Sequence, residues 1–215
     1  MLLAAITVLL FLFLRERGAI VAPLGPEEPE VPQFSFVVER AKAFPLARKP
    51  RGQAHRKAIG QIRGVLDRLY VAGFVDPAQW EAGRFTGALE QFAGPSAREA
   101  RRDLPDLTLG GTADRLELVT PREGLLRMTL LYDLGGNPVL AVVDARFEAL
   151  GDLAGEPQQV SIEHRGEFIV RRVQGRWAIV GYQVRGKIAE RQIAATGGSP
   201  SPTGTGVPSP TGTAP

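Results

Sequence analysis

The stretch from Gly166 to Val184 constrains the fold of this chain more than any other, because it predicts two paired strands. Side chains alternate with period two on both sides of a short turn at Gln174 and Gly175. The alternating sets are Phe168, Val170, Trp177 and Ile179 against Ile169, Arg171, Ala178 and Val180. Alternation of this kind around a glycine-containing turn is the strongest local signal for a β-hairpin. We therefore expect the folded part of the chain to end in a hairpin, near Lys187.

Composition limits both the size of the domain and its chemistry. The 215 residues have an apolar start, an end rich in Ser, Thr, Gly and Pro, and about 150 residues between them, which is the usual size of one domain. The absence of cysteine excludes disulfides, thiolate metal sites and cysteine nucleophiles. The net charge of +3 is mild, and its uneven distribution is more informative than its total.

The N-terminal segment, residues 1–24, is apolar without interruption from Leu2 to Leu14 and then basic at Arg15 and Arg17. As a helix this apolar run would span about 20 Å, less than the roughly 30 Å of a bilayer's hydrocarbon core. The length also suits the core of a signal peptide, but no clear A-x-A cleavage site follows it. We expect an uncleaved membrane anchor; the alternatives are a cleaved signal peptide and a buried soluble helix.

Two features disagree about the side of the membrane on which the domain lies. Under the positive-inside rule, Arg15 and Arg17 would hold the downstream side in the cytoplasm. The lack of cysteine and the Ser/Thr/Pro composition of the C-terminal segment favour the other side. We expect a single-pass protein of the cell membrane, with the domain on the extracytoplasmic side.

A linker, residues 25–50, is predicted between the anchor and the domain. Its first part is rich in Pro and Glu, which predicts a stiff extended spacer, and its second part is basic. The candidate membrane-surface contacts are Arg48, Lys49, Arg51, Arg56 and Lys57. Such a cluster is attracted to anionic lipid headgroups, although a solvated helix face would have the same composition. No base-stacking aromatic residues or nucleic-acid motif accompany it, so we expect no nucleic acid partner.

The C-terminal segment, residues 191–215, is predicted to be disordered. From Thr196 onward it has no charge and few apolar side chains, and Ser-Pro-Thr-Gly-Thr occurs at both Ser201 and Ser209. Such a segment cannot offset its own ordering entropy. An inert flexible tail and an extracellular stalk are the two interpretations.

Between these segments, residues 51–190 change from a helical to a strand pattern. Apolar residues recur at helical spacing from Ala54 to Phe74, Asp76-Pro77 predicts a helix start, and Ser96 with Glu99 predicts a capping box. From Leu107 onward the strands are predicted at 115–120, 125–134, 139–150, 159–173 and 176–187. Helices followed by antiparallel strands indicate an α+β fold, with the helices on one face of a curved sheet.

The final hairpin also carries a resemblance to a known superfamily. The phrase Gly175-Arg-Trp-Ala-Ile-Val-Gly-Tyr182 resembles the ending "glycine, basic residue, tryptophan, x, isoleucine" that is frequent in nuclear-transport-factor-2-like domains. The resemblance covers about Arg51 to Lys187 and implies a cone, in which a long N-terminal helix and shorter helices lie across a bent antiparallel sheet. The order of anchor, spacer and domain is similar to that of bacterial membrane-anchored proteins associated with mammalian-cell-entry transport systems.

The resemblance also implies where a catalytic group would lie. Related enzymes, the ketosteroid isomerases and polyketide cyclases, use a carboxylate and a hydrogen-bonding tyrosine inside the cone. Asp133 and Asp144 are the carboxylates to consider, but Asp133 is adjacent to a strand tyrosine, so the two face opposite sides, and it also precedes a turn. We assign no catalytic residue. The pocket candidates are Trp80, Tyr132, Trp177 and Tyr182.

No metal site and no cofactor are predicted. His55 and His164 are the two histidines, and they are far apart in the sequence, whereas zinc or iron needs several convergent ligands. The sequence has no nucleophile elbow, phosphate-binding loop or dinucleotide fingerprint.

These observations favour a membrane-anchored, non-enzymatic accessory or assembly domain with a protein partner, and the resemblance allows a homodimer through the sheet. The alternative is a small-molecule-binding or isomerase/cyclase-type enzyme that uses the cone interior. A deep pocket with a desolvated carboxylate beside a tyrosine would favour the enzyme, and an interior filled by large apolar side chains would oppose it.

Overall fold

The computed structural model describes residues 32–44, 52–80 and 83–191. The predicted anchor, residues 25–31 and 45–50 of the predicted linker, and residues 192–215 of the predicted tail therefore lie outside the described residues. Within these ranges, no helix is both long enough and apolar enough to cross a membrane.

Five strands form one mixed sheet in the order β1-β2-β3-β4-β5. They are β1 (Val37–Phe44), β2 (Leu116–Tyr132), β3 (Pro138–Leu153), β4 (Gln159–Val173) and β5 (Arg176–Arg191). Strands β2 to β5 are antiparallel neighbours, as expected, whereas β1 runs parallel to β2. The prediction of an antiparallel sheet is therefore wrong for β1. A parallel pair needs a long crossover connection, and the helices between β1 and β2 provide it.

Strand β1 lies inside the segment that the sequence assigned to the linker. Just before it, the backbone N–H of Phe36 donates to Asp67 at 2.8 Å, and the Phe36 side chain is buried. The ring of Phe34 contacts the rings of Phe36 and Phe147 edge-on, with centroids 4.9 and 5.2 Å apart. The folded unit consequently begins before residue 51.

The long helix that the periodicity predicts is α1 (Gly52–Tyr70), and its apolar stripe faces the sheet. The buried side chains of the stripe are Ala58, Ile62, Val65, Leu66, Leu69 and Tyr70. A π-helical turn, Val71–Val75, ends the helix, and the Asp76 carboxylate then accepts from the Ala78 N–H at 3.1 Å, as its cap position predicts. The remaining helices are short: α2 (Thr86–Leu89), α3 (Pro95–Arg102) and α4 (Leu104–Leu107).

The predicted capping box at Ser96 and Glu99 does not form. Helix α3 begins at Pro95, so Gly94 rather than Ser96 occupies the cap position, and no side chain caps the helix. The Ser96 hydroxyl instead lies 2.8 and 2.9 Å from the carbonyl oxygens of Ala93 and Ile179. Proline fits the first position of a helix, which leaves the hydroxyl available to attach α3 to β5.

The segments 115–120 and 125–134, predicted as two strands, belong to the single strand β2. The register of β2 against β3 is irregular between Pro121 and Glu123. A strand tolerates proline at such an irregularity, because a regular ladder would need the N–H that proline lacks.

The predicted hairpin is present, and a bulge adjusts its faces. Gln174 and Gly175 both have positive φ, 50° and 83°, as a type I′ turn requires. In β5, Ile179 lies opposite Val170 whereas Gly181 lies opposite Ile169, so one extra residue is inserted. The extra residue shifts the alternation of β5. Odd-numbered residues face the core before the bulge and even-numbered residues face it afterwards: Trp177 and Ile179, then Tyr182 and Val184.

Candidate functional site

The helix-facing side of the sheet is filled by side chains. Around Tyr70 lie the rings of Phe74, Phe147 and Phe168, with centroids 5.3 to 6.4 Å from the Tyr70 ring. All four side chains are buried, and their edge-on, tilted and stacked contacts are typical of a packed aromatic core.

His164 is the buried titratable group of this interior. Its Nε2 lies 3.0 Å from the backbone carbonyl of Asp106, so Nε2 carries the proton and donates. Its Nδ1 then accepts from the hydroxyl of Tyr70 at 2.8 Å. Burial lowers the pKa of His164 to about 4, although the Asp106 carbonyl opposes this, and burial raises the pKa of Tyr70. Both groups are neutral and fully paired near pH 7, so the network is structural.

The two pocket-candidate tyrosines also face the helices, and each contacts a polar group. Tyr132 is buried and its hydroxyl makes a short hydrogen bond with Nδ1 of His55, near the start of α1. Burial raises the pKa of Tyr132. The Tyr182 hydroxyl donates to Asp103 at 2.8 Å, and burial, followed by this hydrogen bond, raises the pKa of Tyr182.

The two tryptophans are buried and differ in their indole N–H groups. Trp177 donates to Oε1 of Gln61 at 3.2 Å. Trp80 has no hydrogen-bond partner for its Nε1. Neither tryptophan lines the groove over the other face of the sheet that is described below.

The two candidate carboxylates do not enter the interior. Asp133 accepts from the backbone N–H of Asn137 at 2.8 Å, which lowers the pKa of Asp133 and closes the turn between β2 and β3. Asp144 is exposed on the opposite face of the sheet. Tyr182 has Asp103 as its carboxylate neighbour, which the sequence did not single out because it lies between two short helices.

The other face of the sheet, here called the open face, is not covered by the described helices. On this face no side chain is buried along β2 from Glu123 onward, along β3 from Leu140 to Leu150, or along β4 from Ser161 to Arg171. Cross-strand pairing arranges these side chains in rows.

One part of the open face is an apolar band. Phe44, Leu131 and Leu140 lie in one row that ends at Arg171, and Val142 and Ile169 stand side by side in the next row, beside Thr129. Phe44 is 62% exposed and Ile169 is 38% exposed. Two neighbouring rows of apolar side chains that remain accessible to solvent are a feature of interaction surfaces.

Most of the rest of the open face is charged: one row is mixed, with Arg127 opposite Asp144, and the two rows beyond it carry like charges. Arg146, Arg165 and Arg185 are directly opposite one another on three adjacent strands. The next row places three acids together: Glu123, Glu148 and Glu163. Like charges directly opposite each other repel, and the adjacent row offsets this, because Arg146 pairs with Glu123 at 3.3 Å and with Glu148.

A groove of about 480 Å³ runs over the arginine row. Glu39 and Arg127 form one wall, joined by two hydrogen bonds of 2.8 and 3.1 Å. This contact lowers the pKa of Glu39. Among the described residues, Arg165 and Arg185 make no hydrogen bond or salt bridge with an acid.

Of the candidate membrane-surface residues, Arg56 and Lys57 are exposed near the start of α1. Arg48, Lys49 and Arg51 lie outside the described residues. The structure thus separates the two predicted sets: the aromatic candidates face the core, and the described basic candidates face solvent.

The rows of the open face were missed, because they depend on strand register. The alternation within each strand would have revealed them once the pairing was known.

Comparisons with protein-family models, with curated proteins and with solved structures return no match to this chain.

Proposed function

We propose that the chain is a membrane-anchored, non-enzymatic accessory or assembly domain that binds a protein partner through its open face. The observation that carries the proposal is the contrast between the two faces of the sheet. The helix side is filled, and among the described residues its buried polar side-chain groups are paired except for the Trp80 indole N–H, whereas the open face carries an apolar band beside charged rows.

The composition of the open face supports a protein partner. Protein interfaces combine an apolar centre with a polar rim, and arginine is enriched in them. The apolar band centred on Val142 and Ile169 would be the centre, and the arginine and acid rows would be the rim. Ordered rows of opposite charge would fix the register of a partner, because a shifted partner would meet like charges. A second copy of the chain is one partner that such a surface allows.

The anchor and its placement are part of the same proposal. The apolar run from Leu2 to Leu14 would hold the domain at the cell membrane on the extracytoplasmic side. The order of helices before strands and the final hairpin, β4–β5, support a cone of the nuclear-transport-factor-2-like type. The order of anchor, spacer and domain is similar to that of membrane proteins associated with mammalian-cell-entry transport systems. A long first helix packed on β2 to β5 supports that assignment.

One observation keeps an enzyme as the second candidate. Tyr182 donates to Asp103 at 2.8 Å, and both are only partly buried. A tyrosine beside a carboxylate is the pairing that an isomerase or cyclase would use. If the domain is such an enzyme, Tyr182→Phe and Asp103→Asn should each abolish its catalytic activity while the fold stays intact.

The test compares one change on each face, in membranes of the native host. Ile169→Asp places a charge in the apolar band without touching the core, and Tyr182→Phe removes only a hydroxyl. We expect the wild type and Tyr182→Phe to migrate in one larger complex after mild solubilisation, and Ile169→Asp to migrate alone. The proposal would be contradicted if Ile169→Asp still migrated in the larger complex while Tyr182→Phe lost the activity of the protein. That outcome would favour the enzyme.

A further inference from the structure

The two ends of the sheet carry opposite charges. One end holds the turns β2–β3 and β4–β5 together with the start of α1, since Tyr132 contacts His55 there. Its exposed basic side chains, here called the basic end, are Arg56, Lys57, Arg171, Arg172 and Arg176. Two acidic residues also lie here: Asp133, held by Asn137, and Glu90, whose backbone carbonyl accepts from Arg176 at 3.3 Å.

The opposite end is acidic. It holds the start of β2 and the turn between β3 and β4. The acidic side chains at this end are Asp114, Glu117, Asp152 and Glu156; Arg115 lies among them, and Glu190 and Arg191 end β5 at the same end. The domain therefore has a charge polarity along the strands, which orients a protein in the field of a charged surface.

The basic end also carries exposed apolar side chains, here called the apolar tip. They are Phe44, Leu134 and Val139, which are 62%, 71% and 40% exposed. Phe44 ends β1 opposite Leu131, Leu134 lies in the turn between β2 and β3, and Val139 is the second residue of β3. Among the described residues, six large apolar side chains are exposed, and three of the six lie at this one end of the sheet.

We infer that the basic end and the apolar tip form a surface that lies on an anionic lipid bilayer. Interfacial membrane binding combines apolar side chains that enter the headgroup region with basic side chains that attract anionic lipids. A nucleic acid or an acidic protein would use the arginines but would not need the exposed Leu134. The inference rests on the membrane tether of the proposed function, and it adds the orientation of the domain.

The chain is long enough for this orientation. Pro32 is where the described residues begin, and residues 15–31 separate it from the apolar run. These residues reach at most about 60 Å, whereas the chain from Pro32 to Phe44 spans at most about 40 Å. The spacer can therefore pass the length of β1 and still allow Phe44 to contact the bilayer.

The test uses the full-length protein, which contains no cysteine, so one added cysteine gives one labelled site. Leu134→Cys and Glu156→Cys each carry an environment-sensitive fluorophore, the first at the apolar tip and the second at the acidic end. Both are reconstituted into vesicles of phosphatidylcholine, with or without phosphatidylglycerol. We expect the label at 134 to shift to the blue and to be quenched by a lipid-borne quencher when phosphatidylglycerol is present. The label at 156 stays in water.

The matched controls change net charge equally at two places. Arg171, Arg172 and Arg176 are each changed to Gln in one protein, and Arg98, Arg101 and Arg102 of α3 are changed in the other. Each basic side chain near an anionic surface strengthens binding about fivefold, so the first set weakens docking of the tip by about a hundredfold. The second set leaves it unchanged. Circular dichroism of each variant verifies the fold.

Equal exposure of the labels at 134 and 156 in anionic vesicles overturns the inference. If the protein still sediments with the vesicles in that case, the tether stands and only the orientation fails. If it does not sediment, the tether itself fails. Equal loss of quenching in both arginine sets would also overturn the inference, because net charge alone would then explain the binding.

Discussion

Lowering the pH from 7 to 5 should destabilise the domain through His164. In an unfolded chain a histidine has a pKa of about 6.5, whereas burial lowers the pKa of His164 to about 4 in the folded domain. The unfolded state therefore binds the proton more tightly. The stabilisation from neutral His164 is complete above about pH 6.5 and is lost as the pH falls towards 4. The predicted loss between pH 7 and pH 5 is about 2 kcal/mol.

Chemical unfolding measures this loss, with fluorescence of Trp80 and Trp177 as the signal, because both side chains are buried. The free energy of unfolding is compared at the two pH values in the full-length protein held in a non-ionic detergent. The variant that removes the titration is His164→Leu combined with Tyr70→Phe. It removes the histidine together with the hydroxyl that donates to it, so that no unpaired hydroxyl remains in the core.

The carboxylates are the same in the wild type and in the double variant. The difference in pH dependence between these two proteins is therefore due to His164. The double variant should lose about 2 kcal/mol less than the wild type between pH 7 and pH 5. Tyr70→Phe alone keeps the buried His164 but removes a hydrogen bond that only the neutral imidazole accepts, so it should be less stable at pH 7 and keep a pH dependence of the same sign but smaller size. Equal pH dependence in the wild type and the double variant would refute the assignment of His164 as a buried neutral group.

Three further predictions concern stability, each measured as a change in the free energy of unfolding. Phe147→Ala empties part of the aromatic core and should cost about 3–5 kcal/mol; a cost below 1 kcal/mol would mean that this core is not close-packed. Gly166→Ala should cost about 1–3 kcal/mol, since a Cβ would stand 2.5 Å from the Phe168 ring, whereas Gly111→Ala meets no atom within 4 Å and should be neutral; equal effects would refute this packing. Asp76→Ala should cost about 1 kcal/mol through loss of the cap, and no change would show that the Ala78 N–H is paired otherwise.

Much of the fold could be predicted because local signals determine it. Period-two alternation and the turn at Gln174 and Gly175 identify the last hairpin, and the apolar stripe of α1 identifies the long helix. Strand β1 could not be placed, because a parallel pair across a long crossover leaves no local signal in the sequence. Its charged residues resemble a basic linker and also protect the exposed edge of the sheet.

The site was harder to predict, because it depends on register. Tyr182 shares a side with Trp177 only because a bulge inserts one residue between them. Arg146, Arg165 and Arg185 are ordinary exposed arginines in the sequence, and only the pairing of three strands brings them into one row. His55 and Tyr132 meet because the start of α1 lies over the end of β2, which no spacing in the sequence indicates.

The most direct test of the central claim is a photo-cross-linking map of the two sides of the domain in native membranes. A photoreactive amino acid is placed at Ile169 in the apolar band, and at Arg101 on α3 as the helix-side control. We expect one adduct of defined mass from position 169 and none from position 101. An adduct from position 101 alone, or none from position 169 while the larger complex is intact, would contradict the claim that the open face binds the partner.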